Sequence, residues 1–493
     1  VSSSKLSGDF VVAWTSDAAS LADADLPAVA ARAFDASGDP MGAVFQINAL
    51  ETGAQAAPAL THVGEDFRAV WETAALDAPF DIATAAFTPA IPPQTFVVTK
   101  FADTADGVCD ADCSLREAIV AANANTPAAD VVQVPAGTYV LTRVGFDDNA
   151  FAGDLDITDD LSIVVIPAGE LTTATIDANG IDDLFDTDAN DTGLVSVEMN
   201  DLILTGGFSG GAGGAIDNSG ILTMNRCRMT GNESGQNGGA LDNLGRATLI
   251  DTWVDDNIAG TSGGGISNDG ELTLLRTTVS GNTAQNGAGI LHLDTSVVLL
   301  MYNSTISGNT ATVGSGGGMS LRGDAAITNV TIAGNTAAGG ASAIAIVGLG
   351  TPTITLANTI VEGDCNDDDL ISSDGNIESP GTTCFLTTMA GDQLSVAAAD
   401  LKLAGLTDNG GFTPTRLPLP GSVAIDVAAT ETACLANDQR GVLRPQDGDA
   451  VPEALCDVGA VELAPGEGIE IFADDFETGD TDRWQSLFPP PVR

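Results

Sequence analysis

The chain has 493 residues, 68 of them acidic and 17 basic, for a formal net charge of -51. A polyanion of this kind repels phosphate backbones and anionic lipid, which excludes nucleic-acid and membrane-surface binding through basic patches. With 44% hydrophobic residues it is no disordered polyelectrolyte, and no apolar run reaches the roughly 20 residues that a bilayer span needs.

Residues 1–90 carry a weak two-fold repeat. Asp9–Trp14 (DFVVAW) returns as Asp66–Trp71 (DFRAVW), and each is followed by an alternating run that ends at Phe34 or Phe87. Alternation predicts antiparallel strands with one buried face. The segment Ala31–Asn48 resembles the tandem β-rich repeats of large secreted bacterial proteins. Two copies are few for a closed propeller, so we expect further copies before Val1. The Pro-rich stretch around residues 91–95 is the expected linker.

From Phe96 the pattern becomes strand, helix, strand. Ser114 and Glu117 form an S-x-x-E capping box. Leu115, Ala118, Ile119 and Ala122 follow at helical spacing and predict one small apolar face. Pro127 stops the helix, and Val131–Leu141 resumes strand.

Residues 194–362 are a regular repeat. A Gly-Asn or Asp-Asn pair recurs with its Asn at 232, 257, 282, 309 and 335, in steps of 25 to 27 residues. Such a period indicates a solenoid. Three apolar columns emerge: Ile216/Leu241/Ile266/Ile290/Met319, Met224/Leu249/Leu274/Met301/Ile327 and Met229/Val254/Val279/Ile306/Ile332. They predict three short strands per coil of about 25 residues. The expected fold is therefore all-β, a right-handed single-stranded parallel β-helix with an N-terminal capping helix, preceded by a small antiparallel β-repeat region. Cys227, Thr252, Thr277, Ser304 and Val330 share one column, so Cys227 reads as packing. Asn218, Asn243 and Asn268, like the Asn232 series, predict amide ladders between coils. His292 falls in the Asn218 column and reads as a turn residue.

Among the seven cysteines, Cys109/Cys113, Cys365/Cys384 and Cys434/Cys456 form close pairs around an isolated Cys227. They predict three local disulfides and an oxidising compartment. Metal ligation is the competing reading, but no CxxC or His-rich spacing supports it. After the repeats, Asp364, Asp367, Asp368 and Asp369 cluster in an acidic loop. Carboxylates suit calcium, although the spacing is not that of an EF-hand, and a solvated loop is the alternative.

The run Cys113–Asn123, CSLREAIVAAN, resembles the CSLREA domain that opens many secreted bacterial β-helix proteins. The resemblance implies a helix plugging the N-terminal end of the solenoid within residues 96–193. Residues 363–463, with DQRGVLRPQ and CDVGAVE, resemble the choice-of-anchor-type module that closes the same class. The acidic tail 464–493 contains Ile471–Trp484, similar to a short terminal segment of secreted proteobacterial proteins. Together these resemblances imply a protein that is secreted or on the outer cell surface.

Parallel β-helices also carry polysaccharide lyases and hydrolases. A lyase needs a basic residue beside a neutralised uronate, yet the repeats contain no lysine, and Arg226, Arg228, Arg246, Arg276 and Arg322 read as local charge balance. A hydrolase needs two carboxylates roughly 5 to 9.5 Å apart. The candidate catalytic pair is Asp217 and Asp242, one coil apart and outward, with a solvated stripe as the alternative. Trp253, the one tryptophan within the repeats, is the candidate sugar platform, with packing against a neighbouring loop as the alternative, and Val313–Gly318 is a longer turn. The leading expectation is a monomeric, non-catalytic adhesive or structural rod that meets extracellular polysaccharide or cell-envelope components. No cofactor is expected beyond possible calcium. A polysaccharide-active enzyme is the alternative.

Overall fold

The computed structural model describes residues 92–467, except 146–148, 191, 349–351, 367–369, 390, 429–433 and 449–453. It also describes the strands Ser2–Ser3, Phe10–Ser16, Ala28–Phe34, Phe45–Gln46, Gln55–Val63, Asp66–Thr73 and Asp81–Phe87. The segment 468–493, and with it most of the acidic tail, lies outside the described residues.

The two N-terminal sequence copies form equivalent hairpins. Phe10–Ser16 pairs antiparallel with Ala28–Phe34, and Asp66–Thr73 pairs antiparallel with Asp81–Phe87. Each hairpin belongs to its own small sheet.

The rest is a parallel β-helix. Each regular coil runs through three strands, exemplified by Ile216–Asn218, Ile221–Asn225 and Arg228–Thr230, which join sheets of eight, twelve and ten strands. We call these the first, second and third sheets. Every predicted column sits in register: Ile216 pairs with Leu241, Met224 with Leu249, and Met229 with Val254. All six side chains are buried. Their burial contributes about 1.5–3 kcal/mol each, which is why an otherwise polar, Gly-rich sequence holds a rod.

A fourth ladder of six two-residue strands, from Phe208–Ser209 to Thr336–Ala337, adds to the three expected strands per coil. Its inward residues are small, Ser234, Ala259, Ala284 and Ala311. Small side chains give no apolar signature in sequence, so the ladder escapes a search for hydrophobic columns.

Polar columns finish the stack. Asn257 Nδ2 donates to Asn282 Oδ1 at 3.0 Å and to the Met229 carbonyl at 3.0 Å, and the same pattern repeats from Asn232 to Asn335. The Cys227 column is a second ladder, in which the backbone N–H of Thr277 donates to Ser304 Oγ and that of Val330 to Thr359 Oγ1. Cys227 is buried and free, and burial pushes its thiol up to about 12. It is packing, as its column indicates.

Helix Leu115–Asn123 covers the N-terminal end with Leu115, Ala118, Ile119 and Ala122 buried, and the Ser114/Glu117 capping box is formed. Burial alone would raise the Glu117 carboxyl. Hydrogen bonds from Ser114, Thr104 and Asp106, together with Lys100, hold it instead at about 2. At the other end, Cys365–Cys384 and Cys434–Cys456 are disulfide-bonded, as is Cys109–Cys113 near the helix. The inward column of the third sheet ends on Glu378, in register with Val361, where a carboxylate replaces the aliphatic residues. Its Oε1 accepts from the Cys384 backbone N–H at 3.2 Å and closes the last turn.

Described residues of the segment 396–463, among them Pro414, Gln439 and Ala460, lie against the outward face of the third sheet. Gln439 Nε2 donates to Thr278 Oγ1 at 2.7 Å, and Thr305 Oγ1 donates to Gln439 Oε1 at 2.7 Å. The Ala460 N–H donates to Thr331 Oγ1. These residues strap the side of the rod.

Candidate acidic site on the first sheet

The outward position of the first sheet carries aspartate in four successive coils. Asp156 pairs with Asp186, Asp186 with Asp217, and Asp217 with Asp242, after which Ser267 and Leu291 follow. Neighbouring strands are about 4.8 Å apart, so the two sequence-predicted carboxylates, Asp217 and Asp242, are adjacent members of a longer row. The row is less solvated than an outward stripe would be: Asp242 is buried and Asp217 partly so. Burial raises the Asp242 carboxyl, and a hydrogen bond with Ser267 opposes the rise.

A second group of carboxylates abuts the start of the row. Asp154, Asp182 and Asp183 each offer an oxygen, and these oxygens lie within 4.8 Å of one another. Burial pushes the Asp183 carboxyl up to about 10, with further pressure from Asp154, Asp182, Asp217 and Asp186. Burial, and then the charges of Asp156 and Asp182, push Asp154 up to about 8. Three hard oxygen donors at this separation match the reach of one calcium ion, whose oxygen ligands sit about 2.3–2.6 Å away.

The capping helix holds this corner. Arg116 is fully buried; its Nη1 donates to the carbonyls of Ala150 and Asp154, and its Nη2 to that of Gly153. Its Nε pairs with Asp103 at 2.7 Å. Asp156 Oδ2 accepts the Ala150 N–H at 2.7 Å, which ties the loop 150–154 to the aspartate row. A motif residue of the cap therefore fixes the backbone of Asp154.

Asp154, Asp156, Asp182, Asp183, Asp186 and Arg116 are additions to the sequence-predicted site. A signal was present in the triplets LDI, FDT, IDN and LDN at 155–157, 185–187, 216–218 and 241–243. The first three are 30 and 31 residues apart, not 25, so an alignment locked to the regular period passes over them.

The remaining candidates have other surroundings. Asp364 is exposed, with its N–H on Ser342 Oγ, and Asp367, Asp368 and Asp369 lie outside the described residues. Trp253 does face outward, but the Arg228 guanidinium covers its ring at 3.9 Å from the centroid, and its Nε1 donates to Ser280 Oγ. The repeat arginines pair across coils: Arg226 with Asp201, Arg228 with Asp255, Arg276 with Asp251 and Arg246 with Glu271. Arg322 donates to the Leu293 carbonyl.

His292 is a strand residue, not a turn residue, and ends the Asn218 ladder with its Nδ1 2.8 Å from Asn268 Nδ2. In the C-terminal motifs, Arg444 Nη1 donates to Glu462 Oε2 and to the Asp457 carbonyl, and Arg440 pairs with Asp438. These charged residues form an internal network that shapes the strap.

No helix among the described residues is long and apolar enough to cross a membrane. No family model matches the chain, and no curated protein matches it. Among solved structures, the chain is similar to the pectate lyase Pel9A, with 13% identity over 76% of this chain and 97% of that one, at a TM-score of 0.44.

Proposed function

We propose that this is an extracellular β-helix protein of the CSLREA type, secreted or held at the cell surface, with an adhesive, structural or glycan-binding role and no catalysis. The observation that carries this reading is the commitment of the repeat's reactive side chains to the rod itself. Arg226, Arg228, Arg246 and Arg276 are tied to carboxylates of neighbouring coils. A lyase site would need one of these, or a lysine, aimed at substrate. The asparagine amides and His292 are likewise used within ladders. Three disulfides suit an oxidising exterior.

The partly buried acidic row, with Asp154, Asp182 and Asp183 beside it, is the surface that would take a hard divalent cation of the calcium class and through it an anionic glycan. Incubation with a polysaccharide panel, with binding and bond cleavage read separately, tests this reading.

One observation favours the alternative, a polysaccharide-active enzyme. Burial pushes Asp154 up to about 8 and raises Asp242 above the ordinary carboxylate value, and a carboxyl poised near neutrality is suited to general acid or base work. In that case Asp217 and Asp242 would be the reacting pair. Replacing both by asparagine would then abolish cleavage while sparing the fold.

A further inference from the structure

The inner amide ladder has a direction. Thr187 Oγ1 donates to Asn218 Oδ1, Asn218 Nδ2 to Asn243 Oδ1, and Asn243 Nδ2 to Asn268 Oδ1. Each amide also donates to a backbone carbonyl, those of Arg246, Glu271 and Gly270 for the three asparagines in turn. Turning any amide over would set two donors or two acceptors face to face and orphan those carbonyls. The last amide hydrogen therefore points at His292 Nδ1, 2.8 Å away, and the ring must accept there. The next residue of the column is the buried, apolar Leu321, so the ladder stops at the imidazole. His292 is 0% exposed, and no well-formed hydrogen bond reaches its Nε2, although the backbone of Asp324 and Val297 lies near enough to the ring to favour its charged form. Gly323 packs onto Nε2 so closely that a Cβ would come within 2.5 Å of it.

We propose that His292 is an acid-sensitive end stop of this ladder: proton uptake at Nδ1 turns its terminal acceptor into a donor, and the coil 287–298 loosens before the rest of the rod. The charged residues on the elements packed against this strand are Asp294 on its own coil, Asp269 directly after the preceding strand, and Arg322 and Asp324 directly after the following one. Asp294 favours the charged ring, and Arg322 draws on the same carboxylate. Burial prevails and holds the imidazole below its ordinary value of 6.5, against the backbone at Asn268, Asp324 and Val297. The neutral ring belongs to the folded state, so below about 6.5 the unfolded chain binds more protons. The contribution of His292 is complete above that pH and is lost as the pH falls toward the folded value.

The test compares the intact chain with His292→Asn, whose Oδ1 accepts from Asn268 and does not titrate. Hydrogen exchange, corrected for its intrinsic pH dependence, is followed from pH 7 to 5. We expect amides of 290–298 to accelerate more than about twofold in the parent while those of 241–250 do not, and the variant to lose this response. Equal responses in both chains would overturn the proposal. Imidazole nitrogen spectra of the parent give a reading that needs no variant. A neutral ring protonated on Nε2 at pH 7 is expected, and one protonated on Nδ1 would equally overturn the proposal.

Discussion

The guanidinium of Arg116 donates to the backbone carbonyl of Asp154 at 2.8 Å, joining the helix that closes the rod to the most crowded group of carboxylates on it. Arg116 is the central residue of the cap motif, and its remaining bonds go to Ala150, Gly153 and Asp103. Cap and acidic site are therefore one unit. Arg116→Ala leaves Asp103 buried and uncompensated and releases three carbonyls. It is expected to destabilise by about 3–5 kcal/mol, measured by urea unfolding. Arg116→Lys rescues little, because an ammonium lacks the planar fork.

Stability should fall with rising pH because of Asp154 and Asp183. Both carboxyls are raised in the fold, to about 8 and about 10. Folding favours their protonated forms, so this contribution is full near pH 4 and is lost as pH climbs through those values. Asp183→Asn removes the penalty and should raise the melting temperature at pH 9 by more than about 2 °C. It should leave that temperature nearly unchanged at pH 4.

Calcium should oppose the same repulsion. Asp154, Asp182 and Asp183 converge within 4.8 Å, and a cation bound by the folded state alone raises the melting temperature with its concentration. Chelator should reverse the rise. Asp183→Asn should keep the higher alkaline stability described above while losing the calcium response, which separates cation binding from general charge relief.

The amide ladder at the corner after the third sheet offers a test of the rod itself. Asn282→Ala removes the acceptor of both the Asn257 N–H and the Asn257 Nδ2, and the donor to the Val254 carbonyl. Each orphaned buried group costs about 1–3 kcal/mol. Chemical denaturation should therefore show a loss well beyond that of an exposed Asn→Ala change.

Thiol chemistry should report a single reactive group, and only after unfolding. Three cystines leave Cys227 free, buried and at about 12. A thiol-reactive chromogen should find less than one equivalent in buffer and close to one in denaturant. Cys227→Ser should fold, because Ser304 occupies the same column.

The regular coils were legible because an inward residue must be apolar and must recur at a fixed interval. That constraint revealed Met224, Met229 and Ile216 with their partners, and it placed Cys227 among small neighbours. The capping helix announced itself through Ser114 and Glu117. Legibility stopped where physical constraint loosens. Ala259 and Ala284 form a ladder without hydrophobic contrast, and Asp156 and Asp186 belong to coils lengthened by insertions. Gln439 acts across 161 residues of sequence on Thr278, a contact that no local pattern encodes. Asp217 and Asp242 fall on the regular period, so they read in sequence as a pair, although in the fold they are half of a row.

The most direct measurement incubates the purified protein with neutral and uronate polysaccharides, with and without calcium. New reducing ends and unsaturated products are followed beside co-sedimentation. Retention on glycan or cell-envelope material without any turnover is the predicted result. Turnover that disappears in the Asp217→Asn, Asp242→Asn double variant, with folding intact, would contradict a non-catalytic rod.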